Sequence, residues 1–540
     1  MHRRTLLTWT AAIAFWAVAA CGSEGALPTR CAATSYGAAG QVSGSLHVLD
    51  TGNGRWMVDC GAVLGRGSTG FDRPQTLSDD VETVKALFLT HAHVDHLGRL
   101  PLLVERGFSG PIYMTEATET LAVPMLRAEI RGNRSQPRHW CWSKRRLVRA
   151  ETDGKPLWCH WRRCRYRREM ADETVEKATC SMQELTDRFS HGTPAVRVAM
   201  CPECVNETID SVMRLARCAR YGIPTGVADG VRATFLDAGH LPGSASVLFE
   251  VTLDGRRRRV LFSGDLGNTL SPLLNGPKPA PACDTVFVET TYGSARRGPT
   301  VKEQHAAFRQ DVAQAIAAGG VVWIPCFSMD RTQKILYELH TAQRQRLIPE
   351  KLPIYCPSPT AREVTDLYRD HQRNGWFTPR IAIDPQAFSP NEVRSAVPSA
   401  KRLPRPCVII STSDMLLTDW MRRRLASLLP EPSTTILLVS YQDPESVGDL
   451  LKHGATQLEI DGQSVAVRAQ VRSYQCFTGH GDAADIDRWL ANVPKTATVV
   501  LVHGDKEELD ARAAQLREQG RARVIIANEG ASIDLTLSAE

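Results

Sequence analysis

Beyond residue 21 the sequence has no apolar run long enough to span a membrane, which excludes a bundle of membrane-spanning helices. It has no internal repeat and no low-complexity tract, so solenoid arrays and disordered scaffolds drop out. It lacks a strong charge of either sign: the net charge of +6 permits an anionic partner without demanding one. Nor are its 15 cysteines spread as a paired framework. Cys141, Cys159, Cys164, Cys180, Cys201, Cys204 and Cys218 fall in one stretch, and the rest are scattered singly as small buried hydrophobes. That clustering argues for a local metal site over chain-wide disulfides. What is present is 540 residues, 43% hydrophobic and 23% charged, enough for two or three domains with a large core.

Arg3 and Arg4 precede an apolar run over residues 6–20, which ends Val18-Ala19-Ala20-Cys21. A basic start, an apolar stretch and small residues before a cut site make an export signal, and the cysteine resembles a bacterial lipoprotein cleavage site. The competing reading is a start codon placed upstream of the true one. Residues 1–30 are therefore set apart as a leader, with a lipid anchor under the first reading.

Short strands are expected at 46–49 and 56–58 around the turn Thr51-Gly52-Asn53-Gly54. A strand over 84–90 runs into a histidine-rich loop, and a helix starts over 97–105. Further strands are expected at 231–236, 245–253 and 259–263, with Arg256 to Arg259 read as part of a solvated turn. From residue 300 helices and strands alternate: helices over 305–318 and 331–340, strands over 321–325, 407–411 and 435–440. This alternation predicts a parallel-sheet α/β domain.

The strongest local signal is His91-Ala92-His93-Val94-Asp95-His96, four ligand-capable side chains directly after a strand. Imidazole and carboxylate suit zinc. Three more candidates close strands: His240 before Leu241-Pro242-Gly243-Ser244, Asp265 after Ser263-Gly264, and His503 before Gly504-Asp505. A ligand at the end of a rigid strand is held tightly.

Taken in order, these motifs resemble the metallo-β-lactamase superfamily. The resemblance implies a two-zinc hydrolase with an αββα sandwich. It implies that His91, His93 and His240 hold one zinc, that Asp95, His96 and His503 hold the second, and that Asp265 bridges. Asp59, in Val58-Asp59-Cys60-Gly61, matches the acid that orients a ligand imidazole. Four further motifs resemble the β-CASP nuclease branch: Val288-Glu289-Thr290-Thr291-Tyr292-Gly293, Ile324-Pro325-Cys326-Phe327 with Arg331-Thr332-Gln333, Phe477-Thr478-Gly479-His480-Gly481-Asp482, and Leu501-Val502-His503-Gly504. The implied layout is a sandwich in two parts, 31–294 and 450–540, with an inserted β-CASP α/β domain at 295–449. A cysteine-, tryptophan- and arginine-rich insert is expected at 132–221.

The resemblance also implies a reaction: hydrolysis of RNA to 5′-phosphate and 3′-hydroxyl ends. Paired zinc ions would lower the pKa of a water and clamp the phosphate oxygens. The catalytic set would be Asp95, Asp265, His480 as general acid and Glu289 orienting it. Arg331 at a helix start, with Ser411 and Ser413 after a strand, are candidates for holding the nucleic-acid backbone, against ordinary capping and turn roles. In the insert, Trp158 to Arg168 interleaves five arginines with aromatics, a composition that suits single-stranded nucleic acid. There Cys201-Pro202-Glu203-Cys204 resembles a zinc knuckle, with Cys159 and Cys164, or Cys141 and Cys180, as a second pair for a third, structural zinc; packed free cysteines or disulfides are the alternatives.

Three positions depart from the branch: Asp330 and Asp414 stand where glycine is usual, and Pro357 stands where an acid is usual. Asp330 reads as a helix N-cap. Two added carboxylates along a polyanion path weaken backbone binding. A DNA- or small-ester-specific hydrolase and a non-catalytic nucleic-acid-binding protein therefore stay open beside the ribonuclease. Histidine at 503 favours RNA, and the complete ligand set favours an enzyme. The family implies a cytoplasmic protein, the leader a periplasmic or membrane-anchored one, and a homodimer is an open oligomeric state.

Overall fold

The computed structural model describes residues 27–64, 81–132, 140–141, 146–147, 202–296, 300–390, 393–412 and 419–536. The leader up to residue 26, Cys159, Cys164, Cys180, Cys201, Ser413 and Asp414 lie outside the described residues, as do the side chains of Cys141 and Cys204.

Two seven-stranded sheets form a sandwich. The first runs in the order Ser532–Asp534, Ala32–Gly37, Leu46–Asp50, Arg55–Val58, Val84–Phe88, Ile112–Thr115, Ala216–Ala219. The second runs Arg523–Ile526, Thr498–Val502, Thr285–Glu289, Arg256–Phe262, Ala245–Leu253, Val231–Asp237, Thr225–Ala228. Their facing sides bury Trp56, Phe88, Phe235, Phe249, Phe262 and Phe287 in one cluster. Phe262 stacks on Phe287 at 4.6 Å and Phe88 meets Phe249 edge-on at 4.9 Å, the two arrangements that aromatic quadrupoles favour. Outside the first sheet, helices Glu116–Gly132 and Pro202–Met213 bury Leu121, Leu126, Val205, Ile209 and Val212. Outside the second, helices Ala483–Trp489 and Lys506–Glu518 bury Ile486, Trp489, Leu509 and Leu516. The layers are therefore αββα.

The third sheet has six strands: Val393–Arg394, Ile354–Tyr355, Cys407–Thr412, Val321–Cys326, Thr434–Leu438, Gln470–Ser473. Every pairing in it is parallel, as the βα alternation predicts. Val321–Cys326 is buried along its whole length because helices cover both faces. Thr300–Ala317 and Arg331–Arg344 pack on one side through Phe308, Val312, Ile335 and Leu339. Asp419–Leu428 packs on the other through Met421, Leu425 and Leu428.

Four expectations need correction. The insert is shorter than 132–221. The helix Pro202–Met213 carries apolar residues at 205, 209 and 212 that pack into the cluster on the outer face of the first sheet, and Ala216–Ala219 pairs with Ile112–Thr115 as the seventh strand of that sheet. The inserted α/β unit does not stop at 449: Leu458, Ile460 and Val465 join its outer cluster, and Gln470–Ser473 is its last strand. Arg256 to Arg259 are not in a turn. The turn is Asp254-Gly255, both at positive φ (50° and 72°) as a tight hairpin requires, and the arginines follow it on a strand. There Arg257 and Arg259 reach Glu250 at 3.3 and 3.2 Å. Finally, Asp95 and His96 are not in a loop but in the first turn of a short helix, Val94–Leu97.

Among the described residues, no helix is long and apolar enough to cross a membrane.

Candidate metal centre and catalytic cleft

The strand ends of both sandwich sheets deliver the site. Val84–Phe88, buried except at Lys85, leads through Thr90 to His91, and His93 takes the N-cap position of the helix that carries Asp95 and His96. That helix lies directly on the loop after Arg55–Val58: the Cys60 amide donates to the His96 carbonyl (2.8 Å) and the Ala62 amide to the Val94 carbonyl (3.0 Å). Gly61 permits this approach, because a Cβ there would lie 1.5 Å from the Asp95 carbonyl oxygen. His240 follows Val231–Asp237, its turn closed by Ser244 Oγ, which accepts from the His240 amide at 2.9 Å. Asp265 follows Arg256–Phe262. His503 follows Thr498–Val502 at φ 52°, an uncommon backbone state for a residue with a side chain.

These seven side chains converge into two groups, His91–His93–His240–Asp265 and Asp95–His96–His503. In the first, His93 Nδ1 lies 3.1 Å from His91 Nε2 and 3.2 Å from His240 Nε2. In the second, His96 Nε2 and His503 Nε2 are 3.3 Å apart, and His503 Nε2 lies 3.5 Å from Asp95 Oδ2. Bonds of about 2.0–2.1 Å in a tetrahedron put neighbouring donors about 3.3–3.4 Å apart, so the spacing fits a zinc coordination shell. Asp265 joins the groups with one oxygen each. Oδ2 is 3.5 Å from His91 and 3.6 Å from His240, and Oδ1 is 3.3 Å from His96 and 3.7 Å from His503. Asp265 Oδ1 is buried without a hydrogen-bond partner, as a donor reserved for a cation is.

Electrostatics point the same way. Burial holds His91 and His240 well below the usual imidazole range and brings His93 down to about 4, so they are neutral and able to ligate. Burial also opposes charge on Asp265, but His503, His96, His480 and His91 outweigh it and keep the carboxyl ionised. Burial works against a proton on His96 as well, yet Asp265, Asp59 and Asp95 hold its pKa well above normal. The cavity asks for positive charge.

The remaining imidazole nitrogens are mostly fixed from behind. Asp59 Oδ2 meets His96 Nδ1 at 2.7 Å while accepting from the Thr90 hydroxyl at 3.0 Å; its other oxygen takes the Thr90 amide at 2.8 Å. Thr90 Oγ1 is 3.0 Å from His91 Nδ1, and Thr291 Oγ1 is 3.0 Å from His503 Nδ1. Both threonines escaped the reading of the sequence. Their only signal is adjacency: Thr90 precedes the histidine cluster and Thr291 sits inside the Glu289 motif. Beside the cluster, His480 Nδ1 lies 3.1 Å from Glu289 Oε1 and 3.8 Å from Asp265 Oδ2. Glu289 is buried and also accepts from the amides of Leu266 (3.1 Å) and Thr291 (2.9 Å).

The site opens into a cleft of about 570 Å³, walled on one side by the third-sheet domain. His93, Asp95, His240, His480 and His503 line it together with Arg331. Arg331 spends part of its fork internally, donating to the Val439 carbonyl and to Ser440 Oγ (3.3 Å). Ser411 does not line the cleft. It is buried and its hydroxyl accepts from the Trp323 indole at 2.7 Å. Asp330 is not a capping residue either: at φ 61° its side chain makes no cap and instead pairs with Lys334.

Comparison with known proteins agrees with this layout. Residues 39–131 match the metallo-beta-lactamase superfamily, 332–451 the Beta-Casp domain, and 464–527 the Zn-dependent metallo-hydrolase RNA specificity domain. Over 493 residues the chain is 28% identical to Ribonuclease TTHA0252 of Thermus thermophilus, covering 90% of this chain and 96% of that one. It is 25% identical to transcription termination factor FttA of Methanosarcina mazei (88% and 67% covered) and 24% to an RNase J-like protein of Methanocaldococcus jannaschii (87% and 92%). The sandwich with its histidine–aspartate centre is that of a metal-dependent hydrolase of the metallo-β-lactamase fold. With the Beta-Casp domain inserted, the chain belongs to the β-CASP nuclease branch of that fold.

Proposed function

We propose that this protein is a two-zinc phosphodiesterase that hydrolyses RNA and leaves 5′-phosphate and 3′-hydroxyl ends. One observation carries the reading: Asp265 turns one carboxylate oxygen to each of two donor groups, and His480, backed by buried Glu289, stands next to it in the same cleft. His91, His93 and His240 would hold one zinc and Asp95, His96 and His503 the other. Zinc at such a site supplies Lewis acidity toward a phosphodiester and lowers the pKa of water. Asp265 fixes the spacing of the two groups. Glu289 binds one nitrogen of His480 and leaves the other ring nitrogen to give a proton to the departing 3′ oxygen. Arg331, at the cleft wall, supplies positive charge toward the phosphate backbone. RNA as substrate is supported by the ribonuclease and RNase J-like relatives and by the match to an RNA specificity domain.

The test incubates zinc-loaded protein with 5′-labelled single-stranded RNA, the matching DNA, and bis(p-nitrophenyl) phosphate. RNA should be cut fastest, and its products should accept ligation at a 5′-phosphate. Intact RNA beside hydrolysed DNA or small diester would reassign the substrate.

A further inference from the structure

Phe327 and Tyr441 are large rings left 44% and 51% exposed, and both line the cleft that holds His480 and His240. They come from neighbouring parallel strands. Phe327 directly follows Val321–Cys326, and Tyr441 stands three residues beyond Thr434–Leu438, which pairs with it. Side chains at the ends of buried strands are held by a rigid platform. Arg331 ties the two together: its guanidinium lies 6.0 Å from the Phe327 ring and bonds the Val439 carbonyl and Ser440 hydroxyl beside Tyr441. Tyr292 meets the His480 ring edge-on at 6.1 Å and continues the aromatic wall toward the proton donor.

Charge decides what this wall can accept. Asp443 and Asp505 act on Tyr441 and line the same cleft. The Arg331 guanidinium, which faces the phosphate backbone, lies on the Phe327 side, whereas a phosphate laid against Tyr441 would meet these two carboxylates. An uncharged base would not, and every base has a π face that stacks on an aromatic side chain. We infer that Phe327 and Tyr441 are substrate-positioning residues that stack an unpaired base of the nucleic acid beside the scissile phosphate. The inference rests on the RNA reading above. It makes the enzyme specific for single strands and indifferent to base identity at that position, because a base held in a duplex cannot reach the rings.

The experiment measures KM for a short single-stranded RNA in which one abasic nucleotide is moved stepwise past the cleavage site. In the wild-type protein, one or two positions next to the cut should raise KM by about tenfold, the scale of one lost stacking contact. In Tyr441→Ala and Phe327→Ala the abasic penalty at those positions should vanish. Tyr441→Phe, which keeps the ring and loses the hydroxyl, should retain it. The rings are exposed, and zinc content and the unfolding midpoint of each variant check that it folds. An abasic penalty unchanged in both alanine variants, or absent everywhere in the wild type, overturns the stacking role while leaving RNA as substrate. A wild-type protein that cuts no RNA overturns both.

Discussion

Asp330 and Lys334 face each other at 2.6 Å in the first turn of the helix Arg331–Arg344, both almost closed to solvent. Asp330 sits at φ 61°, ψ −53°, and the Arg331 amide donates across it to the Met329 carbonyl at 2.7 Å. That is a γ-turn in its rare, strained form. The position that would suit glycine thus holds a carboxylate, and the carboxylate is matched by a buried ammonium.

Two effects then compete in Asp330→Gly. Relief of backbone strain is worth about 1–3 kcal/mol. Taking the carboxylate from a buried ammonium costs about 3–5 kcal/mol. The loss wins, so Asp330→Gly should unfold at a lower temperature than the wild type by calorimetry. Asp330→Gly with Lys334→Met should recover that midpoint or exceed it. A single variant more stable than wild type would mean that the ion pair contributes nothing.

His480 touches Glu289 and Asp265 but belongs to neither donor group. His480→Ala should therefore lower kcat on RNA by about 10²–10⁴ while zinc content stays at the wild-type level. Glu289→Gln should act in the same direction. Zinc lost along with activity would make His480 a ligand and remove it as proton donor.

Gly479 lies against a ligand. A Cβ there would come within 2.6 Å of His240 Cε1 and 2.9 Å of its Nδ1. Gly479→Ala should push His240 out of place, lowering bound zinc measured by atomic absorption and, with it, turnover. Full zinc occupancy in this variant would show that the ring has room to move.

Asp59→Asn should weaken metal binding by about 10–100-fold, read by competition with a chelator. Asparagine tolerates the positive φ of 61° found there, so the backbone is spared and the effect isolates the loss of charge behind His96.

Metal removal should destabilise the fold. Without cations, buried Asp265 and half-buried Asp95 are carboxylates with imidazoles opposite them. Each site held at 100 times its dissociation constant adds about 2.7 kcal/mol to stability. Chelated protein should therefore melt earlier, and zinc should restore both the midpoint and hydrolysis.

Sequence alone determined what is local. The identity and order of His91, His93, Asp95, His96, His240, Asp265 and His503 were legible because His91, His240, Asp265 and His503 follow strands whose apolar residues announce them, and His93, Asp95 and His96 share one short motif with His91. The core of the parallel third sheet was legible because its central strands, Val321–Cys326, Cys407–Thr412 and Thr434–Leu438, are buried almost throughout and read as mostly apolar runs, whereas the exposed edge strands Val393–Arg394 and Gln470–Ser473 gave no such signal. The tertiary structure decided whatever depends on residues far apart in the chain. It alone brought Thr291 behind His503, assigned one oxygen of Asp265 to each group, and returned Leu458 to Ser473 to the inserted domain. It turned Asp330 from a cap into a strained partner of Lys334, took Ser411 into the core under Trp323, and left Phe327 and Tyr441 open to the cleft. Periodicity and spacing encode which face of an element is apolar. They do not encode which other element comes to rest against it, and burial, pairing and exposure follow from that contact.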